Sequence, residues 1–133
     1  MEILGYDHVG LRVVDRSVSL GFFGSLGFIV DPNHSNERVA EIVNRAGTRM
    51  NLIFNGEPTD GGRNVLMDVP ERSPGYTHAA FVVPDLADVL AWARARGVEI
   101  TEGPVNRGRR LTCFLRDPDR NVLEFNQLLD SGR

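Results

Sequence analysis

The chain repeats itself, and this repeat constrains its fold more than any other feature. Residues 7–30, DHVGLRVVDRSVSLGFFGSLGFIV, align without a gap on residues 77–100, THAAFVVPDLADVLAWARARGVEI, at an offset of 70. His8 falls on His78, Val13 on Val83, Asp15 on Asp85, Leu20 on Leu90, Phe22 on Trp92 and Gly27 on Gly97. A repeat of this size means one supersecondary unit used twice. Each copy opens with a short apolar run, Val9 to Val14 or Ala79 to Val83, which predicts a strand. Asp15 and Asp85 then stand where a helix N-cap accepts hydrogen bonds from orphan amides. Val18, Phe22, Phe23 and Leu26 come next at helical spacing, as do Leu86, Val89, Leu90 and Ala93. Gly27 and Gly97 suit the left-handed residue that ends a helix, with Phe28 and Val98 making the contact after it.

More strand-like runs come after each helix. They are Arg38–Val43 and Arg49–Phe54 in the first half, and Arg110–Leu115 and Asn121–Gln127 in the second, the latter pair joined by the turn DPDRN at 117–121. The expected fold class is α+β: two βαβββ modules, each a sheet with one helix and one open face, pairing into a cup-shaped mixed sheet. Module one is expected at 1–57 and module two at 75–133, within a single domain spanning 1–133. The Gly-, Pro- and charge-rich stretch 58–74 reads as a linker.

Strand alternation decides which side chains reach the open face. His8, Gly10 and Arg12 share a face, as do His78, Ala80 and Val82, and Val122, Glu124 and Asn126. Laying RMNLIF (49–54) on VLEFNQ (122–127) puts Asn51 opposite Glu124. Two imidazoles and one carboxylate converging from different strands make a facial triad. That set suits a divalent ion such as Fe, Mn, Ni, Co or Zn and leaves positions open for a substrate. A lone strand histidine is ordinarily structural, and a glutamate near a C-terminus is ordinarily a solvated charge. Here, however, two of only three histidines hold the same repeat position. The third, His34, reads as a surface residue. Cys113, the single cysteine, reads as a small core residue and rules out an intrachain disulfide.

Bulk properties narrow the partners. The net charge is −3, with 41% hydrophobic and 25% charged residues, which argues against nucleic-acid or anionic-membrane partners. All 15 basic residues are arginine, which excludes lysine Schiff-base chemistry. No apolar run is long enough to span a bilayer. The first strand begins too early for a signal peptide, so a cytoplasmic location is expected.

The elements DHVGLRV (7–13), LGF (26–28), YTHAAFVVPDL (76–86), ARGVEI (95–100), GP (103–104) and FLRDPDRNVLEF (114–125) resemble the vicinal oxygen chelate superfamily. That superfamily includes glyoxalase I, fosfomycin-resistance thiol transferases, extradiol dioxygenases, methylmalonyl-CoA epimerase and bleomycin-resistance proteins. The resemblance implies a metal held by His8, His78 and Glu124, with Glu124 also a candidate catalytic base. The family's fourth metal position falls on Asn51, where glyoxalase I enzymes carry a second glutamate. One carboxylate leaves a divalent ion with a net positive charge, suited to an anionic chelating ligand. Arg12 and Asn55 match family contacts to glutathione, and Arg110 is a further candidate anion contact. The implied activity is a glyoxalase-like lyase or isomerase acting on a small molecule. Its rivals are an extradiol-type dioxygenase or thiol transferase using three ligands, and a metal-free binding protein of the bleomycin-resistance kind. Small members of the superfamily often dimerise, so a homodimer is expected.

Overall fold

A computed structural model describes residues 1–58 and 62–129. The chain divides into two compact units, Met1–Gly62 and Arg63–Arg133. In the first, β1 (Val9–Arg12) leads into α1 (Arg16–Ser25), followed by β2 (Ile29–Val30), β3 (Val39–Val43) and β4 (Arg49–Ile53). In the second, β5 (His78–Val82) leads into α2 (Leu86–Arg96), then β6 (Ile100–Asn106), β7 (Arg110–Arg116) and β8 (Val122–Leu128). Each unit is βαβββ with a four-stranded mixed sheet, ordered β1-β4-β3-β2 and β5-β8-β7-β6. The fold class is α+β, as the repeat predicts.

Local chemistry explains why both helices begin and end where they do. The Asp15 carboxylate accepts from the Val18 amide and that of Asp85 from the Ala87 amide, each at 2.9 Å. At the far ends the Phe28 amide donates to the Phe23 carbonyl (3.1 Å) and the Val98 amide to the Ala93 carbonyl (2.8 Å). Gly27 and Gly97 supply the positive φ, +97° and +66°, that these closures require.

Alternation then sorts the faces. Ala40, Ile42, Met50 and Leu52 are buried in the first unit, and Cys113, Leu115 and Leu123 in the second, where α2 packs on β7 and β8. Each large apolar side chain buried this way contributes roughly 1.5–3 kcal/mol. Glu41 and Asn51, and Phe114 and Glu124, occupy the opposite faces.

Of the stretch read as a linker, residues 59–61 lie outside the described residues, while Asn64 and Asp68 are tied to the second unit. Arg116 donates twice to Asp68, each bond 2.9 Å, and the Asn64 amide donates to the Arg120 carbonyl at 3.1 Å. The guanidinium of Arg116 lowers the Asp68 pKa to about 2. Among the described residues no helix is long and apolar enough to cross a membrane.

Candidate functional site

The strand registers allow the two copies to be compared position by position. Gly10 pairs with Asn51 across β1 and β4, and Ala80 pairs with Glu124 across β5 and β8. Gly10 and Ala80 are 70 residues apart in the repeat. Asn51 and Glu124 are therefore equivalent positions, as the alignment of their strands predicts.

In the second unit, β5 begins at His78, and Glu124 is the third residue of β8. His78 Nε2 lies 3.2 Å from Glu124 Oε1, and their side chains are 32% and 18% exposed. Two cis ligands at about 2.1 Å from an octahedral ion stand about 3.0 Å apart, so this pair fits one divalent metal. The other atom of each group is already engaged. His78 Nδ1 is 2.8 Å from Thr77 Oγ1, and Asn126 Nδ2 donates to Glu124 Oε2 at 2.6 Å. Two proton arrangements satisfy the imidazole. With the proton on Nε2, His78 donates to Glu124, and the pair is an ordinary hydrogen bond. With the proton on Nδ1, donated to Thr77, two lone pairs face each other and call for a cation. Phe114 stands edge-on to the His78 ring, 5.5 Å between centroids, and limits its rotation.

In the first unit, His8 immediately precedes β1, with Nδ1 held 2.7 Å from Asp7 Oδ1. Both repeat histidines thus use Nδ1 on the oxygen of the preceding side chain, leaving Nε2 for a metal. Arg12 Nε donates to Asn55 Oδ1 at 2.9 Å, which joins two members of the predicted substrate set. The Asn51 Oδ1 atom is buried without a hydrogen-bond partner. A buried carbonyl oxygen with no hydrogen bond to accept suits a cation, or an N–H or O–H that would donate to it. Arg110 opens β7 opposite Leu128, on the same face of the strand as Phe114 and exposed.

The first unit also holds a charged group that the sequence pattern does not announce. Asp31, His34 and Glu41 bring donor atoms within 4.8 Å of one another, a spacing that suits a metal ion. Arg49 already supplies a cation there: its Nη1 donates to Asp31 (3.1 Å) and to Glu41 (2.5 Å). His34 first and Arg49 second hold the Asp31 carboxyl below its ordinary range. His34 itself is largely exposed, as the sequence predicts. Asp31 and Arg49 are 18 residues apart, so no local spacing links them. Cys113 is buried, which pushes its thiol up to about 11 and leaves it unreactive.

A family model described as the Glyoxalase/Bleomycin resistance protein/Dioxygenase superfamily matches residues 5–125. The chain is 26% identical over 136 residues to a glyoxalase domain-containing protein of Mycosarcoma maydis, covering 98% of this chain and 72% of that protein. It is 28% identical over 130 residues to a virulence protein of Salmonella typhimurium, covering 91% and 82%. The crystal structure of a Salmonella typhimurium virulence protein superposes with a TM-score of 0.70 at 26% identity, covering 97% of this chain and 100% of that one. An antibiotic binding protein from a Streptomyces species shares the fold, with a TM-score of 0.70 at 21% identity over 97% and 99% of the two chains.

Proposed function

Because the chain belongs to the glyoxalase/bleomycin resistance protein/dioxygenase superfamily, we propose that it is a metal-dependent glyoxalase-like enzyme, a lyase or isomerase acting on a small oxygenated molecule. His8, His78 and Glu124 are the ligands in this reading, and the ion is divalent: Fe, Mn, Ni, Co or Zn. The observation that carries it is the 3.2 Å approach of His78 Nε2 to Glu124 Oε1, with the second atom of each group held elsewhere. The donor chemistry fits: two imidazole nitrogens and one carboxylate form a set that accepts a divalent ion and leaves positions open.

When bound, the metal would polarise two neighbouring substrate oxygens and stabilise the negative charge that develops on them. The chain's own residues do the rest. Thr77 and Asp7 orient the two imidazoles. Glu124 is also the candidate base, its carboxylate taking or returning a proton at a substrate carbon. Asn51 would accept from a substrate hydroxyl or N–H once its side chain turns its buried amide oxygen outward. Arg12, with Asn55 setting its direction, and Arg110 supply positive charge for an anionic substrate group.

Metal analysis of untagged protein tests the reading first. Wild type should hold about one divalent ion per chain, and His78→Ala should lose it; equal, negligible metal in both would overturn the site. The reaction class is tested next. Turnover of glutathione hemithioacetals with Ni, Co, Mn or Zn supports the isomerase branch, whereas oxygen uptake with catechols would replace it by a dioxygenase. Tight binding of an aromatic ligand that ignores chelators would replace it by a binding protein.

A further inference from the structure

Glu124 does not stand alone on its strand face. Behind it lies a cross-strand pair, Thr112 on β7 and Asn126 on β8, only 1% and 3% exposed. Thr112 Oγ1 donates to Asn126 Oδ1 at 2.6 Å, and Asn126 Nδ2 donates to Glu124 Oε2 at 2.6 Å. The direction of this chain of bonds is forced. An ionised carboxylate only accepts, so the amide nitrogen must face Glu124, the amide oxygen must face Thr112, and the threonine must donate.

The first unit serves as an internal control. Where the second unit pairs Phe114 with Glu124 and Thr112 with Asn126, the first pairs Glu41 with Asn51 and Val39 with Ile53. The fold therefore accepts two apolar side chains at this spot. A buried hydroxyl and amide cost desolvation there unless every polar atom is satisfied. The polar pair occurs in the copy that carries the glutamate. In the other copy the matching Asn51 Oδ1 is left without a partner.

We propose that Thr112 and Asn126 are positioning residues that fix Glu124 Oε2 and leave Oε1 as its single donor atom. The proposal rests on the reading of Glu124 as a metal ligand. A carboxylate held this way would meet an ion through one oxygen only. It spares one coordination position that a bidentate carboxylate would fill, and a substrate chelating through two oxygens needs such positions open. A short charge-assisted bond from a buried amide is strong enough to hold that choice.

Cobalt(II) titration of the full-length protein provides the test, read by affinity and by the visible spectrum of the bound ion. Thr112→Val removes the donor and installs the residue that the first unit already tolerates as Val39, so the variant should fold; a thermal melt checks this. It should bind cobalt about 10- to 100-fold more weakly, with an altered spectrum. Thr112→Ser keeps the hydroxyl and should stay within about threefold of wild type, because only the donor matters to Asn126. Wild-type affinity and spectrum in Thr112→Val would overturn the brace while leaving the metal site intact. Equal losses in the serine and valine variants would also overturn it, by assigning the effect to packing. If wild type binds cobalt no better than His78→Ala, the metal reading itself fails and the brace falls with it.

Discussion

Asp117, at the start of the turn between β7 and β8, is 3% exposed. Its Oδ1 accepts from the backbone amides of Asp119 (2.9 Å) and Asn121 (2.8 Å), and its Oδ2 from the Asn121 side chain (2.9 Å). These bonds favour the charged form, but burial outweighs them and raises the pKa to about 6 from 3.8. Between roughly pH 4 and 6 the folded chain holds a proton at this site that the unfolded chain has released. Stability from this group is therefore greatest below pH 4 and falls as pH rises through that window. The size is on the order of 2–3 kcal/mol, since one pKa unit corresponds to about 1.4 kcal/mol. Asp117→Asn keeps the Oδ1 acceptor for the two backbone amides and cannot ionise, and Asn121 can turn its own amide to match. Urea melts at pH 4 and pH 7 should show that this variant loses less stability across the interval than wild type does. Equal losses in the two proteins would mean that Asp117 titrates normally.

The helices and the long strands can be read from the chain because their signals are local: an aspartate cap, an apolar stripe, a glycine with positive φ, and alternation over five or more residues. The short or interrupted strands cannot. β2 is two residues long, and β6 contains Gly103 and Pro104, which read as a break. Its pairing with β7 survives through register shifts around Glu102, and its place at the edge of the sheet spares Pro104 from needing a donor. The candidate site is legible to the same degree. His8 and His78 emerge from the repeat, and Asn51 and Glu124 from the matched strands. Thr112 stays hidden because its link to Asn126 depends on the β7–β8 register, and the Arg49 cluster because Asp31 lies outside any strand. The β6 interruption carries a prediction of its own. Gly103 has φ +86°, and a Cβ built there would collide with the Thr112 carbonyl oxygen. Gly103→Ala should therefore cost about 2 kcal/mol or more, from the backbone conformation and the clash together. A drop in the denaturation midpoint at unchanged slope would register it. A midpoint equal to wild type would show that the edge strand shifts at no cost.

Across the whole molecule, the four sheet edges are treated unequally. β2 is too short to recruit a partner, and β6 is broken by its bulges and Pro104. Both features blunt an edge. β1 and β5 have neither, and each lies at the edge of its sheet. Apolar groups next to them are exposed: Tyr6 at 100% and Tyr76 at 99%, which are 70 residues apart like the repeat, and Val9 at 40% and Val82 at 67% on the strands themselves. Water is a poor long-term neighbour for an unblunted edge beside exposed aromatic rings, and a second copy of the chain offers the same edges and rings in return. A homodimer is therefore expected, with a mass twice the 14.7 kDa of one chain. Light scattering at micromolar concentration should give that mass, and Tyr6→Ser with Tyr76→Ser should shift it toward the monomer. Melting supplies an independent check, because a folded dimer in equilibrium with unfolded chains gains stability as total protein rises. The wild-type melting temperature should climb over a hundredfold concentration range, and the doubly substituted chain should climb less. A monomeric mass together with a concentration-independent melt would refute the assembly.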